Sequence, residues 1–126
     1  MKTSPFKILI LTVLSLISVA AGAQSFRNPV IGRSWPDPTV WSDGTRYYTI
    51  STGVGTILTS EDLVNWTDLK KAPLSVEASE AAKAVGRQFW APDVVKIKDR
   101  WMLYLTCYES AENCGISVFE SESATG

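Results

Sequence analysis

The 126-residue chain has no histidine. This excludes the Ser-His-Asp arrangement, histidine-bearing zinc sites and imidazole general bases, and leaves carboxylates as the acid and base candidates. Cysteine is scarce, with Cys107 and Cys114 alone. An oxidising compartment would let the two pair across a hairpin. Two buried free thiols fit the spacing equally well, so both readings stand. No cluster of Lys and Arg could neutralise a run of phosphates, so no nucleic-acid partner is expected. The long apolar run, Ile8 to Ala21, falls short of the roughly 20 residues that a spanning helix needs, and no stop-transfer pattern follows it.

That run has the features of a secretory signal. Lys2 and Lys7 precede it, "AGA" closes it, and Ala21 and Ala23 are small enough to place cleavage before Gln24. Residues 1–23 are therefore expected to be removed, and the protein to be secreted or periplasmic with no membrane association afterwards. What remains carries 10 Lys and Arg against 13 Asp and Glu, and its length suits one small domain.

Within residues 24–126 a pattern occurs twice. "SWPDPTVW", Ser34 to Trp41, sets Asp37 between two prolines that fix their own backbone angles and bias the preceding residue toward extended geometry. After Asp37 come a short apolar run, a turn at Asp43-Gly44 and an aromatic, β-branched run from Arg46 to Ser51, which is a hairpin signature. "FWAPDVV", from Phe89, opens the second copy. A strand is expected over Asp93 to Ile97, a turn around Lys98-Asp99, and a strand from Arg100 to Thr106. Tyr48 and Tyr104 follow the two aspartates at the same interval, so Asp37 and Asp93 are expected at equivalent positions.

Each copy continues to a third strand, "GTILTS" and "CGISVFES", and the first adds a fourth candidate, "VNWTDL". Two successive small sheets of this kind match the blades of a β-propeller. The first blade is expected over about 30–70 and the second over about 89–126, with an alanine-rich loop or short helix inserted over about 72–88. Two blades alone leave a face and strand edges open, so the chain is expected to be the N-terminal part of a longer protein.

First strands of propeller blades line the central channel, so Asp37 and Asp93 are expected to share a pocket, where like charges push pKa values apart and suit distinct acid and base roles. Trp35 and Trp90 lie beside them. Stacking on a sugar ring and packing between blades are equal readings for these two indoles. Trp41, Tyr47, Tyr48, Trp66, Trp101 and Tyr104 are expected in the core. The sequon at Asn65 is read as chance.

"PDPTVW…YYTISTG…TSEDLVNW" followed by "FWAPDVV…WMLYLT" resembles the opening of glycoside hydrolase family 43 across almost all of residues 24–126. The resemblance implies a five-bladed all-β propeller, of which about two blades are here, and hydrolysis with inversion of arabinose- or xylose-containing plant polysaccharides, arabinan favoured. It implies that Asp37 is the general base and that Asp93 raises the pKa of the catalytic acid and orients it. The family's acid is a glutamate of the third blade. That role is given to no residue here, since Glu109, Glu112, Glu120 and Glu122 fall in the wrong blade, and these residues alone are expected to be inactive. Some arabinan-cleaving relatives hold an ion partly through histidine, so neither metal nor cofactor is expected here. A carbohydrate-binding propeller without catalysis is the alternative.

Overall fold

The computed structural model describes residues 25–126, so the expected signal segment, 1–23, lies outside the described residues. Seven strands and one helix follow in order. They are β1 (Thr39–Ser42), β2 (Tyr47–Ile50), β3 (Leu58–Ser60), β4 (Thr67–Asp68), α1 (Val76–Lys83), β5 (Gln88–Ile97), β6 (Arg100–Tyr108) and β7 (Cys114–Ser121). They form two antiparallel sheets, β1-β2-β3-β4 and β5-β6-β7, each strand pairing with the next in the chain. The described chain is thus all-β with one short helix.

Local chemistry sets the turns. Between β1 and β2, Gly44 takes a φ of 95° that side-chain-bearing residues resist. Asp43 Oδ1 there accepts hydrogen bonds from the Thr45 hydroxyl at 2.7 Å and from the amides of Thr45 and Arg46 at 2.8 and 2.9 Å. Tyr48 donates its hydroxyl to the other oxygen at 2.7 Å. Asp62 binds the loop between β3 and β4 in the same way, taking the Val64 and Asn65 amides at 2.9 and 2.7 Å.

The core lies between the sheets, because β1 alternates buried and exposed residues and β6 buried and half-buried ones, as strands with one covered face do. Trp41, Tyr48, Ile50 and Ile57 of the first unit meet Trp101, Leu103, Leu105 and Cys107 of the second, with Ala82 of α1 closing one side. Tyr47, Trp66 and Tyr104, expected in this core, are half-buried instead. Tyr104 alternates out of phase with Leu103 and Leu105 and so shares the opposite sheet face with Val95, Ile116 and Val118, which are exposed.

Ser75 caps α1, its hydroxyl accepting the Ala78 amide at 3.1 Å. The cysteines are not bonded. Cys107 points into the core opposite Gly115, whereas Cys114 is exposed and pairs with Tyr108 on the other face of the sheet. One residue of register thus separates the two thiols by a whole sheet.

Candidate active site

The two proline motifs build β-bulges. Asp37, before Pro38, and Ala91, before Pro92, take φ values of 45° and 42°, in the left-handed region, where extended geometry was expected. Each bulge supplies the reason, since the extra residue is forced out of the ladder. In the second sheet the pairing slips between Trp90 and Asp93. In the first, Thr39 pairs with Ile50, yet the next contact is the Thr52 amide donating to Pro36 O at 3.0 Å, which is the same one-residue slip. Bulges re-aim side chains and are common beside active sites.

This geometry corrects the expected register. The residue matching Asp37 is Ala91, and the residue matching Asp93 is Thr39, two positions away from the alignment that the tyrosine spacing suggests. The tyrosines mislead because Asp93 pairs directly with Tyr104, while Tyr48 pairs with Trp41. The same shift matches Trp35 with Phe89 and Trp90 with Pro36.

The shifted register still brings both aspartates to one seam, where the start of β1 meets the middle of β5. Asp37 Oδ2 accepts the Thr52 hydroxyl at 2.9 Å, and that hydroxyl accepts the Ala91 amide at 3.1 Å. Asp93 Oδ1 accepts the Thr39 hydroxyl at 3.3 Å, and Thr39 in turn accepts the Val94 amide at 3.4 Å. Gly53 adds a backbone bond to Phe89 O at 2.7 Å. Each carboxylate is therefore held through a threonine of the first sheet that is itself tied to the second.

Both aspartates are exposed, and neither enters an ion pair among the described residues. The remaining oxygen of each, Oδ1 of Asp37 and Oδ2 of Asp93, accepts no hydrogen bond from the described residues. They differ in this from Asp43 and Asp62 of the loops and Asp68 of β4, whose carboxyls are held well below the ordinary range. The Thr45 hydroxyl does so first for Asp43, the Asn65 amide for Asp62 and the Thr56 hydroxyl for Asp68. Those three are saturated, while the seam pair each keep a lone oxygen for an incoming molecule.

The tryptophans do not act as a matched pair. Trp35 is half-buried, donates Nε1 to the Thr49 hydroxyl at 3.1 Å and carries the Arg33 guanidinium 4.8 Å above its ring. It lines an open groove with Arg33, Pro36, Thr52, Gly53 and Thr56 beside Asp37. Trp90 is 40% exposed and stacks on Tyr108 with centroids 4.3 Å apart, on the face of the second sheet turned away from the first. Sequence reasoning missed Thr39 and Thr52, which are ordinary as letters; the one signal for them was their place two residues after Asp37 and after Ile50.

The sequence model of glycosyl hydrolases family 43 matches residues 26–126. No curated protein sequence matches significantly. Among solved structures, a Bacillus subtilis arabinanase superposes with a TM-score of 0.59 at 26% identity, covering 73% of this chain and 34% of its own. A thermostable family-43 glycoside hydrolase gives 0.64 at 25% identity, covering 81% and 34%. A variant of a Cellvibrio cellulosa α-L-arabinanase gives 0.58 at 26%, covering 72% and 30%. The chain spans about a third of the length of the solved structures it matches.

Proposed function

The chain belongs to glycosyl hydrolases family 43, and from that we propose that it forms the base-bearing part of an inverting glycosidase acting on arabinose-containing plant polysaccharide. The observation that carries the reading is Asp37, fixed at a bulge with one oxygen engaged and the other open. Asp37 Oδ1 takes a proton from a water as that water's oxygen bonds to the anomeric carbon. The bond to the leaving oxygen breaks on the opposite face, and that oxygen is protonated by an acid. Such chemistry needs the two carboxyls roughly 6.5 to 9.5 Å apart.

Asp93, held on the same seam, orients the acid and keeps it protonated by its own charge. The acid itself is a glutamate outside these residues, and the architecture is a five-bladed propeller of which the two sheets are the first two blades. Residues 25–126 alone then bind sugar without cleaving it. Trp35 and Trp90 offer flat apolar surfaces for sugar rings. The two lysines and apolar run before Gln24 support export of the protein.

The arabinanase likenesses favour arabinan over xylan. A chimera tests the reading, with residues 26–126 replacing the matching third of the Bacillus subtilis arabinanase. Hydrolysis of linear arabinan, releasing the inverted anomer by proton NMR, is expected from the chimera and is expected to fall at least 100-fold with Asp37→Asn. A folded chimera that cleaves arabinan equally well after the Asp37→Asn substitution would overturn it.

A further inference from the structure

We propose that Thr52 is the positioning residue for Asp37, and that it makes the orientation of this carboxylate depend on docking of the second sheet. The inference rests on the reading of Asp37 as the base. A threonine hydroxyl has one proton and two lone pairs. The Ala91 amide can only donate, so at 3.1 Å it occupies a lone pair; ionised Asp37 can only accept, so at 2.9 Å it takes the proton. The hydroxyl thus has a single arrangement, and it always points its proton at Oδ2. Oδ1 is left as the oxygen free to receive a proton from water.

The Ala91 amide is available for this because its residue is the bulge of β5 and has no partner in β6. Thr52 is clamped in turn, its own amide bonded to Pro36 O at 3.0 Å and the following Gly53 amide to Phe89 O at 2.7 Å. The left-handed turn at Ala91, which carries no catalytic group, acquires a purpose. It aims an N–H across the seam at the hydroxyl that holds the base. If the second sheet moves away, Thr52 is free to rotate and Asp37 loses its fixed oxygen. Thr39 makes the corresponding contacts for Asp93 at 3.3 and 3.4 Å, which is a looser hold.

The test reads the relay directly in the chain labelled with nitrogen-15. As pH falls through the carboxylate range, the Ala91 amide resonance is expected to shift in the wild type and in Thr52→Ser. The shift is expected to be lost in Asp37→Asn and in Thr52→Val. Asp93 is the other titrating group on this seam and Arg33 the neighbouring cation, so Asp37→Asn identifies which titration Ala91 senses. An Ala91 amide equally pH-sensitive in wild type and Asp37→Asn would overturn the proposal, as would a response surviving Thr52→Val. Should Thr52→Val fail to fold, Thr52→Ala, which also removes the hydroxyl, takes its place with the same expected loss.

In the arabinanase chimera, Thr52→Val is expected to lower kcat about tenfold with KM little changed, and Thr52→Ser to restore most of it. Hydrolysis indifferent to Asp37→Asn removes the base reading while leaving the relay. An insensitive Ala91 amide beside hydrolysis that needs Asp37 removes only the role of Thr52.

Discussion

Replacing Gly86 with alanine tests the packing that sets the second sheet against the helix. A Cβ built there falls 2.6 Å from the Tyr108 nitrogen and 2.7 Å from the carbonyl carbons of Cys107 and Tyr108. Comfortable contacts of this kind are about 3.5 Å or more, so nearly 1 Å of overlap must be relieved. All three atoms are main chain of β6, and the ladder to Gln88 and Phe89 holds them on one side and β7 on the other. The strand cannot yield cheaply. The chain leaving α1 must move instead, and with it Ala82, which is fully buried, and Val85, which packs on the core.

Overpacking of this sort costs about 1–3 kcal/mol. It is opposed by about 0.4–1 kcal/mol from the reduced freedom of the unfolded chain, because the φ of Gly86 lies outside the left-handed range. The steric effect wins, and a net loss of about 1–2 kcal/mol corresponds to a urea midpoint lower by roughly 1 M. Two controls separate the causes. Gly55→Ala meets nothing within 4 Å and has an ordinary φ, so its midpoint should hold or rise. Gly44→Ala also meets nothing, but its φ of 95° should cost about 1 kcal/mol. A midpoint for Gly86→Ala equal to that of Gly55→Ala would refute the reasoning.

Three further outcomes are expected. In the native protein Cys114 should react with a thiol reagent within minutes and Cys107 only on unfolding, with no mass change on reduction, since one thiol is exposed and the other buried. Lowering pH should destabilise the fold through Asp43, Asp62 and Asp68. Their folded-state pKa values lie below the unfolded ones, so their contribution is complete above about pH 4 and is lost as pH falls further. Urea midpoints measured from pH 6 to pH 2 should show this fall, and Asp43→Asn should flatten part of it. Asp37→Asn should leave the unfolding free energy within about 0.5 kcal/mol of wild type, because asparagine tolerates a φ of 45°, whereas Asp37→Val should lose about 1–2 kcal/mol, both read by urea unfolding.

The fold class was legible because short-range chemistry decides it. Asp43-Gly44 allows few conformations other than a tight turn, and the aromatic, β-branched runs on either side fit half-buried strands. Which face each strand buries was less legible. Tyr104 and Tyr48 look alike as letters, yet one is half-buried on the outer face of its sheet and the other packs in the core. The two copies are offset by two residues, which keeps the face, so packing makes the difference: the first sheet buries the face of Trp41, Tyr48 and Ile50, whereas the second turns the equivalent face, with Val95, Met102 and Tyr104, outward and buries the other.

The candidate site shows the same division between residue types and register. Asp37 and Asp93 could be picked out as carboxylates beside prolines and aromatics, but equal spacing to a tyrosine placed them at one repeated position, and the bulges place them two residues apart. That offset is what gives each a different partner. Asp37 sits on the bulge itself and reaches across its own sheet to Thr52, whereas Asp93 sits beyond the bulge and reaches between sheets to Thr39. The bulge of the second copy leaves the Ala91 amide without a ladder partner, so it is free to donate to the hydroxyl that holds Asp37, and the offset between the two copies is what gives the aspartates different surroundings.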